Sequence, residues 1–154
     1  MSHSLMTLAA AVFGLISILA APVFADGTTD SSSTTSSSAD TYAEAKALVD
    51  SGDFVAALPI LISITKSDAK NADAWNLLGF TQRKLGNMDD SASAYLTVLT
   101  INPDHLGALE YQGELFLDTG KPDLARANLD KLKGLCGGCE EAEDLEKAIQ
   151  AAGA

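Results

Sequence analysis

The sequence predicts an all-α fold: three stacked helix-turn-helix units closed by a capping helix. Two observations carry the prediction. Gly52, Gly86 and Gly120 recur at one constant step, since 86 − 52 and 120 − 86 are both 34, and a period of that length marks a helical repeat. Other columns keep the same step. Ala57, Ser91 and Ala125 are small, Leu61, Tyr95 and Leu129 are large, Ile64, Val98 and Leu132 are apolar, and Ala45, Gly79 and Gly113 are small again. Small residues let paired helices approach closely, and large ones fill the space between pairs.

Each unit reads as an amphipathic segment, a glycine turn and a second amphipathic segment. The predicted helices are 41–50 and 54–66, 72–85 and 88–100, then 104–119 and 122–133, with 140–151 as the cap. Thr41 with Glu44 forms a capping box, Asn71 caps the third helix, and Pro122 suits a first helical position. Asn102-Pro103 separates the second unit from the third. Pro59 falls inside the second helix, where proline costs about 3 kcal/mol unless the helix kinks, so this is the weakest element of the pattern. In the last helix Leu145, Ala148 and Ile149 share one side and acids the other, as a solubilising end cap requires.

Ahead of the repeats, residues 5–21 are apolar except for Thr7, Gly14 and Ser17. Pro22 follows, and Val23 and Ala25 give the small-x-small pattern of a signal-peptidase site, which predicts an export signal at 1–25 cut after Ala25. The competing reading is an uncleaved anchor, because the run approaches the roughly 20 apolar residues that span a bilayer and its n-region offers only His3 and the α-amino group. The break at Pro22 favours cleavage, and the lack of a nearby cysteine speaks against a lipid anchor. Cleavage leaves a mature chain that begins at Asp26, free of the membrane, in a periplasm or outside the cell. Residues 26–40 are nearly all Ser, Thr, Asp and Gly, a disordered linker in which nothing repays the entropy of ordering.

Composition bounds the function. The 154 residues carry 10 Lys+Arg against 21 Asp+Glu, a net charge of −11. That balance argues against nucleic acid, whose phosphates need clustered Lys and Arg, and against an anionic membrane surface. The length allows one modest core rather than a multidomain enzyme. No nucleophilic triad, paired general acid and base, or phosphate-cradling glycine loop stands out, so neither catalysis nor a cofactor is expected. His105 follows Pro103-Asp104 near a helix start and reads as a surface residue rather than a base.

The columns resemble the tetratricopeptide repeat family. The middle unit carries the pattern best, with Trp75, Leu78-Gly79, Gly86, Ser91, Tyr95 and Pro103. The third keeps Gly113, Phe116, Gly120, Ala125 and Leu129; in the first, Thr41 stands in the column of Trp75. The resemblance covers residues 41–139, as units at about 38–71, 72–105 and 106–139, with 140–154 as cap and tail. It implies a right-handed superhelical solenoid whose concave face, built by the first helix of each unit, holds a peptide or protein partner. Carried over residue by residue, that face presents Tyr42, Lys46 and Val49, then Asp73, Asn76, Phe80, Arg83 and Lys84, then Glu110, Glu114, Leu117 and Asp118. The expectation is a groove with an aromatic anchor at Phe80, a basic site at Arg83 and Lys84, and an acidic stripe of Glu110, Glu114 and Asp118 at i, i+4, i+8. Two plainer readings stay open: a solvated acidic face, and a Phe80 buried against a neighbouring helix. The family's clamp for a C-terminal carboxylate is not reproduced by Lys46, Asn76 and Arg83, so a chaperone tail is not expected.

Cys136 and Cys139 lie between the last repeat helix and the cap. A haem site needs His after the second cysteine, where Glu140 stands. A zinc site needs about four Cys or His ligands, and only His105 is at hand. A structural disulfide and a redox-active pair remain. The acids at Glu140, Glu141, Glu143 and Asp144 raise a thiol's pKa against the helix N-terminus that lowers it. The disulfide is favoured, closed through Gly137-Gly138 and contributing about 2 kcal/mol. The function expected is a non-enzymatic periplasmic adaptor for envelope or complex assembly. The alternatives are a redox accessory protein and an oligomerisation module in which Trp75 and Tyr95 pack within or between copies.

Overall fold

The structure, a computed structural model, describes residues 38–154. The predicted export signal and the linker up to residue 37 lie outside the described residues. Seven helices follow in order: α1 (Ser38–Asp50), α2 (Phe54–Ser67), α3 (Ala72–Lys84), α4 (Met88–Ile101), α5 (Leu106–Asp118), α6 (Pro122–Cys136) and α7 (Glu140–Ala151). No strand occurs among the described residues.

The turns explain the glycines. Gly52, Gly86 and Gly120 have φ of +81°, +83° and +70°, a left-handed conformation that side chains other than glycine's resist. Each turn closes in the same way. The glycine N–H donates to Val49, Arg83 or Leu117 O at 2.9 to 3.0 Å, and the next N–H donates to Leu48, Gln82 or Phe116 O at 2.7 to 2.9 Å. The last carbonyls of each first helix are thereby bonded, and the chain reverses at one fixed angle.

Every column buries. Ala57, Ser91 and Ala125, Leu61, Tyr95 and Leu129, Ile64, Val98 and Leu132, and Ala45, Gly79 and Gly113 all lie in the interior. The core divides into three linked clusters. Ala45, Leu61 and Leu78 centre the first, Tyr95, Val98 and Leu115 the middle one, and Leu109, Leu129, Leu132 and Leu145 the last. Trp75 packs against both the first and the middle cluster and donates its indole N–H to Ala69 O at 3.1 Å. Tyr95 has no exposed surface, so it packs within its own copy. Gly79 is small because a Cβ there would lie 2.7 Å from the Tyr95 ring, and one at Gly113 would lie 2.6 Å from Leu145. Ser91, the polar member of its column, donates to Gly79 O at 2.8 Å.

Several ends differ from the sequence pattern. Helix α1 already runs through Ser38, so Thr41 sits inside its first turns and does not cap it. Nothing in Ser38-Ala39-Asp40 breaks a helix. Helix α5 begins at Leu106 rather than Asp104, because His105 is its cap: Nδ1 accepts the Ala108 N–H at 3.1 Å. Helix α6 continues past Lys133 to Cys136, where Gly137 ends it. Asn71 accepts the Ala74 N–H at 2.9 Å, and Pro122 opens α6. Pro59 does not break α2. Its ring is exposed, and Val55, whose carbonyl would accept the missing N–H, is itself 73% exposed, so the lost bond falls on the solvent side of the helix.

Helix α7 packs on α5 and α6. The Sγ atoms of Cys136 and Cys139 are 2.03 Å apart, a disulfide linking the last residue of α6 to the residue that precedes α7.

Two glycine substitutions of opposite sign test this packing. Gly79→Ala drives a methyl group into the Tyr95 ring and is expected to cost about 1–3 kcal/mol. Gly134→Ala, inside α6 with open space around it, is expected to gain about 0.5–1 kcal/mol. Urea denaturation followed by helical circular dichroism reads both, and unchanged midpoints would contradict the close approach.

Candidate functional site

The first helices lie side by side, α1 against α3, α3 against α5 and α5 against α7. Tyr42, Asn76, Glu110 and Asp144, each one repeat step from the next, occupy equivalent positions on these four helices. They mark the floor of a trough. Its first part, a depression of about 400 Å³, is lined by Tyr42, Lys46, Asp73, Asn76, Phe80 and Tyr111. Its second, of about 230 Å³, is lined by Asn76, Glu110, Tyr111, Glu140, Glu141 and Asp144. Asn76 and Tyr111 line both, so the two parts adjoin.

Phe80 is half-buried and serves both sequence readings. Its ring packs edge-on to Phe54 at 6.0 Å and tilted against Tyr111 at 4.9 Å, and its remaining face lines the depression. Lys84 Nζ lies 5.0 Å from the ring centroid and Arg83 Cζ 5.8 Å, within cation–π range. Tyr42 is half-buried, and burial, with Asp73 and Asp50 nearby, raises its hydroxyl's pKa. Lys46 pairs along its own helix with Asp50 at 2.6 Å.

Arg83 does not form the expected basic site. It is buried, 9% exposed, and its guanidinium donates to Asp118 Oδ2 at 2.9 Å and to the Glu114 carboxylate. Two members of the expected acidic stripe are thus consumed by an internal ion pair between α3 and α5. The geometry follows from the repeat. One repeat step from Arg83 is Leu117, and Glu114 and Asp118 flank that position on the neighbouring helix.

Glu110 has no such partner. It is 9% exposed, and burial raises its carboxyl to about 8, helped by the negative charges of Glu114, Asp144, Glu141 and Glu140. Its neighbour Tyr111 is raised to about 12 by burial and by Glu110 and Glu114. Asn76 Oδ1 is buried without a hydrogen-bond donor. At neutral pH the Glu110 carboxyl is therefore mostly protonated.

Several contributors escape the sequence pattern. Tyr111 is absent from it, and the acids of α7 read there as a solvated cap. One further repeat step from Glu110 reaches Asp144, a signal that α7 stands where a fourth first helix would. His105 is not a free surface residue: beyond capping α5, its Nε2 lies 3.0 Å from Asp73 and its side chain is 14% exposed. Among the described residues no three His, Cys, Asp or Glu side chains are arranged to hold a metal ion, and no helix is long and apolar enough to cross a membrane.

The tetratricopeptide repeat pattern matches residues 42–105 and 81–138. No curated protein matches the chain. Among solved structures it is similar to the Yersinia enterocolitica type III secretion chaperone SycD in complex with a peptide of the translocator YopD, at 17% identity and a TM-score of 0.64 over 74% of this chain and 87% of that one. It is similar to PcrH in complex with the chaperone-binding region of PopD, at 17% identity and a TM-score of 0.66 over 75% and 90%. The first repeat domain of Spaghetti bound to an HSP90 peptide gives 15% identity and a TM-score of 0.66 over 76% and 94%. At these identities the likeness is one of fold, and with the pattern spanning most of the helical stack, the chain belongs to the tetratricopeptide repeat family.

Proposed function

We propose that this chain is a non-enzymatic, exported adaptor that holds a peptide or protein segment in the trough of its first helices. One observation carries the reading: half-buried aromatic rings, Phe80 and Tyr111, line the first of two adjoining depressions flanked by charge. Aromatic anchors in partly desolvated clefts are where binding energy concentrates. SycD and PcrH, which share the fold, are described in complex with a peptide of the translocator YopD and with the chaperone-binding region of PopD, respectively. That supports a role in holding a partner during assembly of an envelope or other protein complex.

The apolar run ahead of Ala25 supports export, and the disulfide supports an oxidising compartment. Because the disulfide joins consecutive helix ends, its place in the fold favours a structural pin over redox exchange.

Two measurements test the proposal. Export followed by cleavage predicts a mature chain beginning at Asp26, with Cys136 and Cys139 blocked to alkylation until reduced; Edman sequencing and intact mass read both. For the trough, a photo-crosslinker at Tyr111 in the intact envelope is expected to capture a partner, and Phe80→Ala to weaken that capture by about tenfold or more. Leu96→Ala, on the exposed surface of α4, serves as the control. Full capture by Phe80→Ala with loss in Leu96→Ala would move binding to the outer surface and end this reading.

A further inference from the structure

We infer that the segment held in the trough carries a lysine or arginine side chain, seated between Glu110 of α5 and the acids of α7. The inference rests on the trough being the binding face and adds the chemistry of its occupant.

Four observations carry it. The second depression, about 230 Å³, has acids on two sides, Glu110 on one and Glu140, Glu141 and Asp144 on the other. No ion pair among the described residues reaches Glu110, Glu140 or Glu141; Asp144 pairs only with Lys147, one turn along α7, at 2.7 Å. Glu110 is nine-tenths buried and accepts no hydrogen bond, and beside it Asn76 Oδ1 is buried without a donor. A nearly buried, unpaired carboxyl that faces three further acids across the depression favours a cationic group that donates hydrogen bonds. An ammonium or guanidinium is such a group.

The approach to the acids fits a long side chain with an apolar stem. Tyr111 lines both depressions, with Phe80 packed against it, so the methylenes of Lys or Arg lie against aromatic surface while the charged end reaches Glu110. Gly107 lines this depression; a Cβ there would come within 3.1 Å of Asn76 Nδ2, so the glycine leaves the amide its place. A bare metal ion fits less well, since the acids are not arranged as a ligand set. Until a cation arrives, Glu110 holds a proton and adds no negative charge of its own to the site.

Selection of the purified chain against a random library of displayed dodecapeptides tests this, followed by fluorescence anisotropy with a selected peptide and its norleucine analogue. The expected result is enrichment of Lys or Arg next to an apolar residue, with a loss of about tenfold or more when the basic residue becomes norleucine. Glu110→Gln and Asp144→Asn, checked for folding by circular dichroism, are expected to bring wild-type affinity towards that of the norleucine peptide. The charged groups acting on Glu110 are Glu114 on its own helix and Glu140, Glu141 and Asp144 on α7, and Asn76 of α3 and the neighbouring Tyr111 share its depression. With these in place, affinity for the basic peptide rises with pH as Glu110 ionises around 8, and Glu110→Gln flattens the rise. Selected peptides that lack Lys and Arg, or that bind both variants as tightly as wild type, overturn the inference while leaving the trough as the binding face. If no peptide is enriched, the trough itself is not a peptide site, and both readings fall.

Discussion

A single left-handed residue, placed at the same point of each unit, constrains the whole stack. Gly52, Gly86 and Gly120 take positive φ, and the turn they allow sends each second helix back at one angle. The consequence appears in the chain's own numbering. First helices α3, α5 and α7 begin at residues 72, 106 and 140, and second helices at 54, 88 and 122, each one repeat step after the last. With the geometry repeated, equivalent residues meet equivalent surroundings, so a column of small residues can become a line of close helix contact. Gly79 under Tyr95 and Gly113 under Leu145 are that contact at its tightest.

The ion pair across the second and third units adds a constraint of a different kind. Arg83 is buried, and a buried guanidinium without partners is strongly destabilising. Glu114 and Asp118 answer it from α5, so any rotation of α5 against α3 strips a charge of its partner. Buried pairs gain little net stability over apolar packing, but they penalise wrong registers. The pair therefore acts on the trough's geometry. It fixes α5 beside α3, and with it the distance between Phe80 and Tyr111.

The parts legible in the sequence are those governed by one helix or by the period. Burial columns, turns and the caps at Asn71 and Pro122 depend on local chemistry and on a step counted along the chain. The start of α1 is hidden because Thr41 and Glu44 imitate a capping box, while the helix has already begun at Ser38. Arg83 and the acidic stripe mislead for a deeper reason. A face is visible from one helix's spacing, but which charges meet depends on how far one helix slides past its neighbour. The acids of α7 mislead because a polar helix face looks the same whether it meets water or closes a groove.

Charge along the trough follows from these contacts. Of the three acids spaced along α5, two are compensated by Arg83 and the third is not, because Asn76 and not a cation stands one repeat step before it. Burying Glu110 as a carboxylate beside Glu114 and Asp144 would set like charges against one another in a poorly solvated site, so it keeps its proton. The protonated state spares that repulsion, while the neighbouring Asn76 amide oxygen stays buried without a hydrogen-bond donor. A folded chain tolerates such groups where a ligand completes them. The inferred Lys or Arg side chain would supply a positive hydrogen-bond donor there, its stem lying along the aromatic wall of Phe80 and Tyr111.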